Sequence, residues 1–136
     1  MADATSPVAS QAKLLAGYRA LAGLFAVLVL VQAWMAGRSD VLFGDIDIVL
    51  HGVVGNVSYL VAVGALVVAI VARADKVAIG VSAVLVVAVT AQIGLGYTGR
   101  TTLAAAAWHI PLGVAIFGLA VFQLSQALSL GRGSAR

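Results

Sequence analysis

Four apolar stretches, each long enough to cross a membrane as a helix, are separated only by short charged or glycine-containing joints. They run over about residues 14 to 36, 46 to 72, 77 to 98 and 103 to 129. A hydrocarbon core of about 30 Å is crossed by roughly 20 helical residues, and lipid offers the backbone no partner outside the segment's own hydrogen bonds. With 62% hydrophobic and 10% charged residues and a mean hydropathy of +1.11, the chain is too oily for water. The spans leave no room for a separate soluble domain. Residues 1–136 therefore read as one all-α unit, a four-helix transmembrane bundle.

The start of the chain, MADATSPVASQAK, is polar and has no basic residue before Lys13, unlike the basic opening of a secretory signal, so the first span is expected to be retained. With no cysteine, disulfides, thiolate metal sites and covalent c-type haem attachment are excluded. The net charge of +3 follows topology: Lys13, Arg19, Arg73, Lys76, Arg132 and Arg136 fall on one side of the bundle. The other side holds only Arg38 and Arg100, with Asp40, Asp45 and Asp47. The positive-inside rule then places both termini in the cytoplasm, and the expected setting is a prokaryotic plasma membrane. The pI near 9.8 reports this orientation and no nucleic-acid partner.

Turn chemistry marks the same joints. Gly37-Arg38-Ser39-Asp40 ends the first span, Arg73-Ala74-Asp75-Lys76 makes a tight inner loop, and Gly96-Tyr97-Thr98-Gly99-Arg100 ends the third. Thr101 or Thr102 suits the N-cap of the fourth helix. The outer loop from Arg38 to Asp47 carries Val41, Leu42 and Phe43, which either lie against the membrane surface or simply connect.

Laid over each other, the two hairpins share polar landmarks. The first span ends VQAWMAGR and the third AQIGLGYTGR; the second carries HGVVG and the fourth HIPLG. Gln32 to Gln92 and His51 to His109 are nearly the same distance apart in sequence. The pattern predicts a duplicated hairpin with a pseudo-twofold axis along the membrane normal.

At 1.5 Å per residue both histidines lie roughly one to two turns below the outer ends of descending helices, at one level. The second and fourth helices of an up-down bundle are diagonal, so the rings are expected to face each other. An intramembrane imidazole is costly without partners and points to function. Two imidazoles without carboxylate or thiolate make a poor zinc site, which usually takes three or four protein ligands; they suit a haem iron, whose equatorial nitrogens come from the porphyrin.

Helical steps from His51 reach Gly55, Ser58, Ala62 and Ala69, and from His109 reach Gly113, Ile116, Ala120 and Gln123. Gly55 and Gly113 would leave room for a flat macrocycle, or let helices pack closely. Gln32 and Gln92 come near the histidine level, either to orient a ring or propionate or to tie helices together. Arg38 and Arg100 at the rim match propionates, although such residues are commonly interface anchors. Pro111 either disturbs the fourth helix beside His109 or, if that helix begins near Ala107, sits harmlessly in its first turn. Trp34 and Trp108 read as interfacial anchors.

From about Gly17 to Gln126, this arrangement of a histidine on the second and fourth helices and a glutamine with a glycine-rich exit on the first and third resembles one half of heme A synthase. It is similar, too, to small four-helix membrane proteins of the same single-half layout. The resemblance implies one b-type haem with His51 and His109 as axial ligands. Heme A synthase also carries a glutamate three residues before a ligand histidine and an arginine after it, tied to its oxidation chemistry. Ile48 and Gly52 stand there in this chain, no glutamate occurs anywhere, and Asp47 is a partial substitute at best.

A six-coordinate iron favours electron transfer over catalysis. The expectation is a small membrane cytochrome b in the lipid bilayer, with a quinol or another membrane protein as redox partner and homo-oligomerisation left open. The alternatives are a haem-sensing, storage or delivery protein, and a haem-free assembly subunit or small transporter.

Overall fold

A computed structural model describes residues 7–37 and 45–130. The expectations for Arg38, Asp40, Val41, Leu42 and Phe43, and for Arg132 and Arg136, lie outside the described residues. The described chain is helical apart from its joints: α1 (Pro7–Ala36), α2 (Asp45–Val71), α3 (Lys76–Gly99) and α4 (Leu103–Ser129). All four are long and apolar enough to span a membrane. The chain is thus an all-helical four-helix bundle whose surface suits a lipid bilayer.

Each helix packs on its neighbours in sequence, and α1 closes the ring against α4, which leaves α1/α3 and α2/α4 as the diagonals. Lipid tails are as apolar as leucine, so close backbone approach through small residues, more than hydrophobic driving force, holds such helices together. The interior follows this rule. Ala22, Ala62, Ala65, Ala69, Ala78, Ala120 and Ala127 are buried where helices meet, while Leu60, Val87 and Val114 point outward. Phe25, Leu85 and Ile116 fill the middle layer among the alanines.

The joints explain the ends. Asp75 caps α3, its carboxylate accepting from the Ala78 amide at 2.7 Å, and Arg73 takes a left-handed φ of 52° to turn the chain between α2 and α3. Arg19 is more than a marker of sidedness. Its Nε donates to the Ala127 carbonyl at 3.0 Å and its other nitrogen to the Leu130 carbonyl, satisfying the end of α4 from α1. Gln11 does the same for α2 through the Ala72 carbonyl at 3.2 Å.

At the start of α4 one expectation holds in position only, and one of two readings of Pro111 is selected. Thr102 occupies the N-cap of α4, but its side chain makes no capping bond, and Thr101 instead donates to the Thr98 carbonyl at 3.1 Å. Because α4 begins at Leu103, Pro111 lies inside it and not in its first turn; the Ala107 carbonyl therefore loses its usual helical donor just above His109.

Candidate functional site

The stripes predicted from the histidines face inward. Ser58, Ala62 and Ala69 on α2, and Ile116, Ala120 and Gln123 on α4, are all buried. Carrying His51 and His109 on those stripes brings the two rings together across the α2/α4 diagonal, with centroids 6.2 Å apart and planes at 61°. Both are partly buried.

Gln32 and Gln92 reach this level from α1 and α3, each through different atoms. The Gln32 carboxamide Nε2 donates to the backbone carbonyl of His51 at 2.8 Å, fastening the α2 backbone. At His109 the contact is with the ring: Nδ1 lies 3.0 Å from the backbone carbonyl of Gln92. That carbonyl only accepts, so the contact is a hydrogen bond in a ring that carries a proton on Nδ1. The helper expected from the glutamine side chain is thus supplied by the main chain of the same residue.

The glycines do admit close approach, but of a different group. A Cβ on Gly55 would lie 3.0 Å from Gln32 Nε2, and a Cβ on Gly113 would lie 3.0 Å from Gln92 Nε2. Both notches are filled by glutamine amides, so a macrocycle enters only if those flexible side chains turn aside. Gly96, noted in the sequence only as part of a turn, contributes a third close approach: its Cβ position is 3.0 Å from His109 Cε1 and 3.4 Å from Nδ1. Its place one helical turn after Gln92 is the signal that could have drawn attention to it.

Arg100 caps the end of α3 and joins the site by reach. Its guanidinium carbon stands 5.0 Å from the centre of the Tyr97 ring, and one of its terminal nitrogens lies 3.7 Å from the Cβ position of Gly52, next to His51. Arg38, its expected counterpart, lies outside the described residues. Trp34 and Trp108 are exposed on the bundle surface, as interfacial anchors are.

Polar atoms remain unmatched here. Gln32 Oε1, Gln92 Oε1 and His51 Nδ1 are buried without a hydrogen-bond partner, an arrangement natural interiors rarely leave unexplained. Among the described residues no three of His, Cys, Asp and Glu come together, so the donor set is two imidazoles with neutral amides around them. That set does not suit a zinc ion held by protein alone.

Sequence reasoning missed a second polar cluster, at the opposite end of the bundle. Ser82 on α3 donates to the Ala78 carbonyl at 2.7 Å, accepts from Gln123 Nε2 at 2.9 Å and meets the Tyr18 hydroxyl at 3.2 Å. All three side chains are fully buried, and they tie α1, α3 and α4 together. Tyr18 and Ser82 carry no periodic or spacing signal, which is why the sequence does not disclose the cluster. Comparison with known proteins finds no family model, no curated protein and no solved structure that matches this chain.

Proposed function

We propose that the chain is a small membrane b-type cytochrome that holds one haem between His51 and His109 and passes electrons. The observation that carries this reading is the pairing of the two imidazoles across the bundle diagonal at 6.2 Å. Two metal–imidazole bonds of about 2 Å each, extended to the ring centres, span about 6 Å, close to the separation of the two rings. The bound haem would supply a one-electron couple, and a six-coordinate iron leaves no open position for substrate.

The protein's own residues have definite tasks in this reading. The Gln92 carbonyl orients His109 and strengthens it as a donor, the Gln32 amide fixes the His51 backbone, and Gly55 and Gly113 would leave room for the macrocycle once the glutamine side chains turn out of their notches. Arg100, and Arg38 with it, would pair with propionates at the rim. The two hairpins α1–α2 and α3–α4 are read as duplicated units, with the histidine end outward and both termini in the cytoplasm of a prokaryotic cell. The motif resemblance to half of heme A synthase supports the ligand assignment. With no glutamate in the sequence, electron transfer to or from a quinol or another membrane protein is the reading favoured over the synthase reaction.

An absorption spectrum tests it. Purified protein, or protein reconstituted with haem, should show a Soret band and sharp α and β bands on dithionite reduction, lost in both His51→Ala and His109→Ala. No Soret band after reconstitution refutes the reading. The filling of both glycine notches by glutamine amides favours a second reading, a haem-free assembly subunit in which these side chains only join helices. The same spectrum separates the two.

A further inference from the structure

A cleft of about 340 Å³ opens at the end of the bundle opposite the histidines, between the first turns of α1 and the end of α2. Ser10, Gln11 and Leu14 line it from α1, and Val71, Ala72 and Arg73 line it from the α2 side. Its volume lies within the range of small-ligand sites. The walls are of two kinds. Leu14 and Val71 are apolar, and Val71 is exposed on the lipid-facing surface, whereas Ser10, Gln11 and Arg73 offer a hydroxyl, a carboxamide and a guanidinium. Among the described residues no carboxylate lines it, and Asp75, the acid nearest Arg73 in sequence, accepts from the Ala78 amide at 2.7 Å.

Arg73 stands where the backbone favours a different residue. The Ala74 amide donates to the Ala69 carbonyl at 2.9 Å and the Arg73 amide to the Ile70 carbonyl at 3.0 Å, the pattern that closes a helix on a left-handed residue. Arg73 is that residue, at φ 52°. Glycine takes this conformation at least cost, so the compensation for arginine lies in its side chain. Yet among the described residues the guanidinium meets no carboxylate and no carbonyl. The carbonyl of Ala72, an acceptor that would repel an anion, is already taken by Gln11 Nε2 at 3.2 Å.

We propose that this cleft binds the phosphate of an anionic phospholipid. Arg73 holds two phosphate oxygens, Ser10 and Gln11 are lesser donors, and Leu14 and Val71 form the wall along which the acyl chain leaves. Guanidinium pairs with phosphate bidentately and stays charged throughout. Basic pockets between membrane helices take such headgroups, and Lys13, Arg19, Arg73 and Lys76 all lie at this end of the bundle. The site does not depend on the haem reading.

The test is native mass spectrometry of the full chain released from detergent micelles, titrated with phosphatidylglycerol or with phosphatidylcholine of the same acyl chains. One phosphatidylglycerol should be retained about 10-fold more tightly than the first phosphatidylcholine, with no such preference in later additions. Arg73→Gly should abolish that preference. Because glycine suits the left-handed backbone, its helicity and unfolding midpoint should not fall, which separates lost binding from lost folding. Ser10→Phe, at an exposed position, fills the cleft without changing the charge and should lose the retained lipid too. Lys76→Gln, outside the lining, should keep it, and inorganic phosphate at the lipid's concentration should not displace it.

Equal retention of the two lipids overturns the proposal, as does an Arg73→Gly or Ser10→Phe variant that keeps the preference. A loss in Lys76→Gln as large as that in Arg73→Gly overturns it by showing diffuse attraction to a basic rim. Displacement by inorganic phosphate at equal concentration overturns the lipid assignment and makes the cleft a site for the free anion.

Discussion

Replacing Ser82 by alanine should cost more than a small, fully buried side chain usually does, because Ser82 Oγ is the hub of the cluster on α1, α3 and α4. The change removes the acceptor of Gln123 Nε2 at 2.9 Å and the partner of the Tyr18 hydroxyl at 3.2 Å. Tyr18 retains the Ala78 carbonyl at 3.4 Å, but Gln123 retains nothing, since its Oε1 already lacks a partner. An interhelical hydrogen bond in a membrane protein is worth about 0.6 kcal/mol on average, whereas a buried polar group left unpaired costs about 1–3 kcal/mol. The orphaned amide should dominate, giving a loss of about 2 kcal/mol. In a Gln123→Leu background no amide is left to orphan, so Ser82→Ala should then cost about 1 kcal/mol less than in the wild type. Reversible unfolding in mixed micelles, followed by helical circular dichroism, measures the full cycle. Additivity within about 0.5 kcal/mol would show that the two side chains are not energetically joined and would refute the reasoning.

Other consequences follow from single contacts. Gly96→Ala would set a methyl against the His109 ring; under the proposed cytochrome reading it should lower haem affinity about 10- to 100-fold in a haem titration, with helicity unchanged. Arg19→Met keeps the apolar stem but strips the end of α4 of its donors; a loss of about 1–2 kcal/mol and faster amide exchange over the last turn of α4 are expected, read by hydrogen exchange. Arg73→Gly relieves a left-handed backbone at φ 52° and should raise stability by up to about 1 kcal/mol in the same unfolding assay.

Much of the framework is legible in the sequence because membranes impose coarse rules. Apolar length alone locates the four helices: the third apolar run, 77 to 98, lies within Lys76–Gly99, and the fourth, 103 to 129, coincides with Leu103–Ser129. The first helix begins earlier than its apolar run, at Pro7, since a helix continues past the hydrocarbon where its polar side chains meet water. Matching landmarks were enough to bring Gln32, His51, Gln92 and His109 to one region. What they could not specify is which atom does what. A glutamine marks a position, but whether its carboxamide or its carbonyl meets the histidine depends on helix rotation, which no periodic pattern fixes to within a bond length. The glycine notches illustrate the same limit: small size signals close approach without naming the group that approaches. A long side chain acting at a distance, as Arg19 does on α4, escapes sequence reading because its partners are backbone carbonyls with no identity of their own.

The glutamine amides seated over Gly55 and Gly113 have a consequence for register. Each amide fits only where the facing helix lacks a Cβ, so sliding α2 along α1, or α4 along α3, by one residue would drive a methyl or larger group into it. The glutamine of one helix therefore meters how far its neighbour is sunk into the membrane, and with it the depth of the histidine one turn away. Sequences that exchange such a glutamine for a bulkier residue should be free to exchange the glycine only in company, the two positions drifting as a pair while the leucines and valines around them change at will.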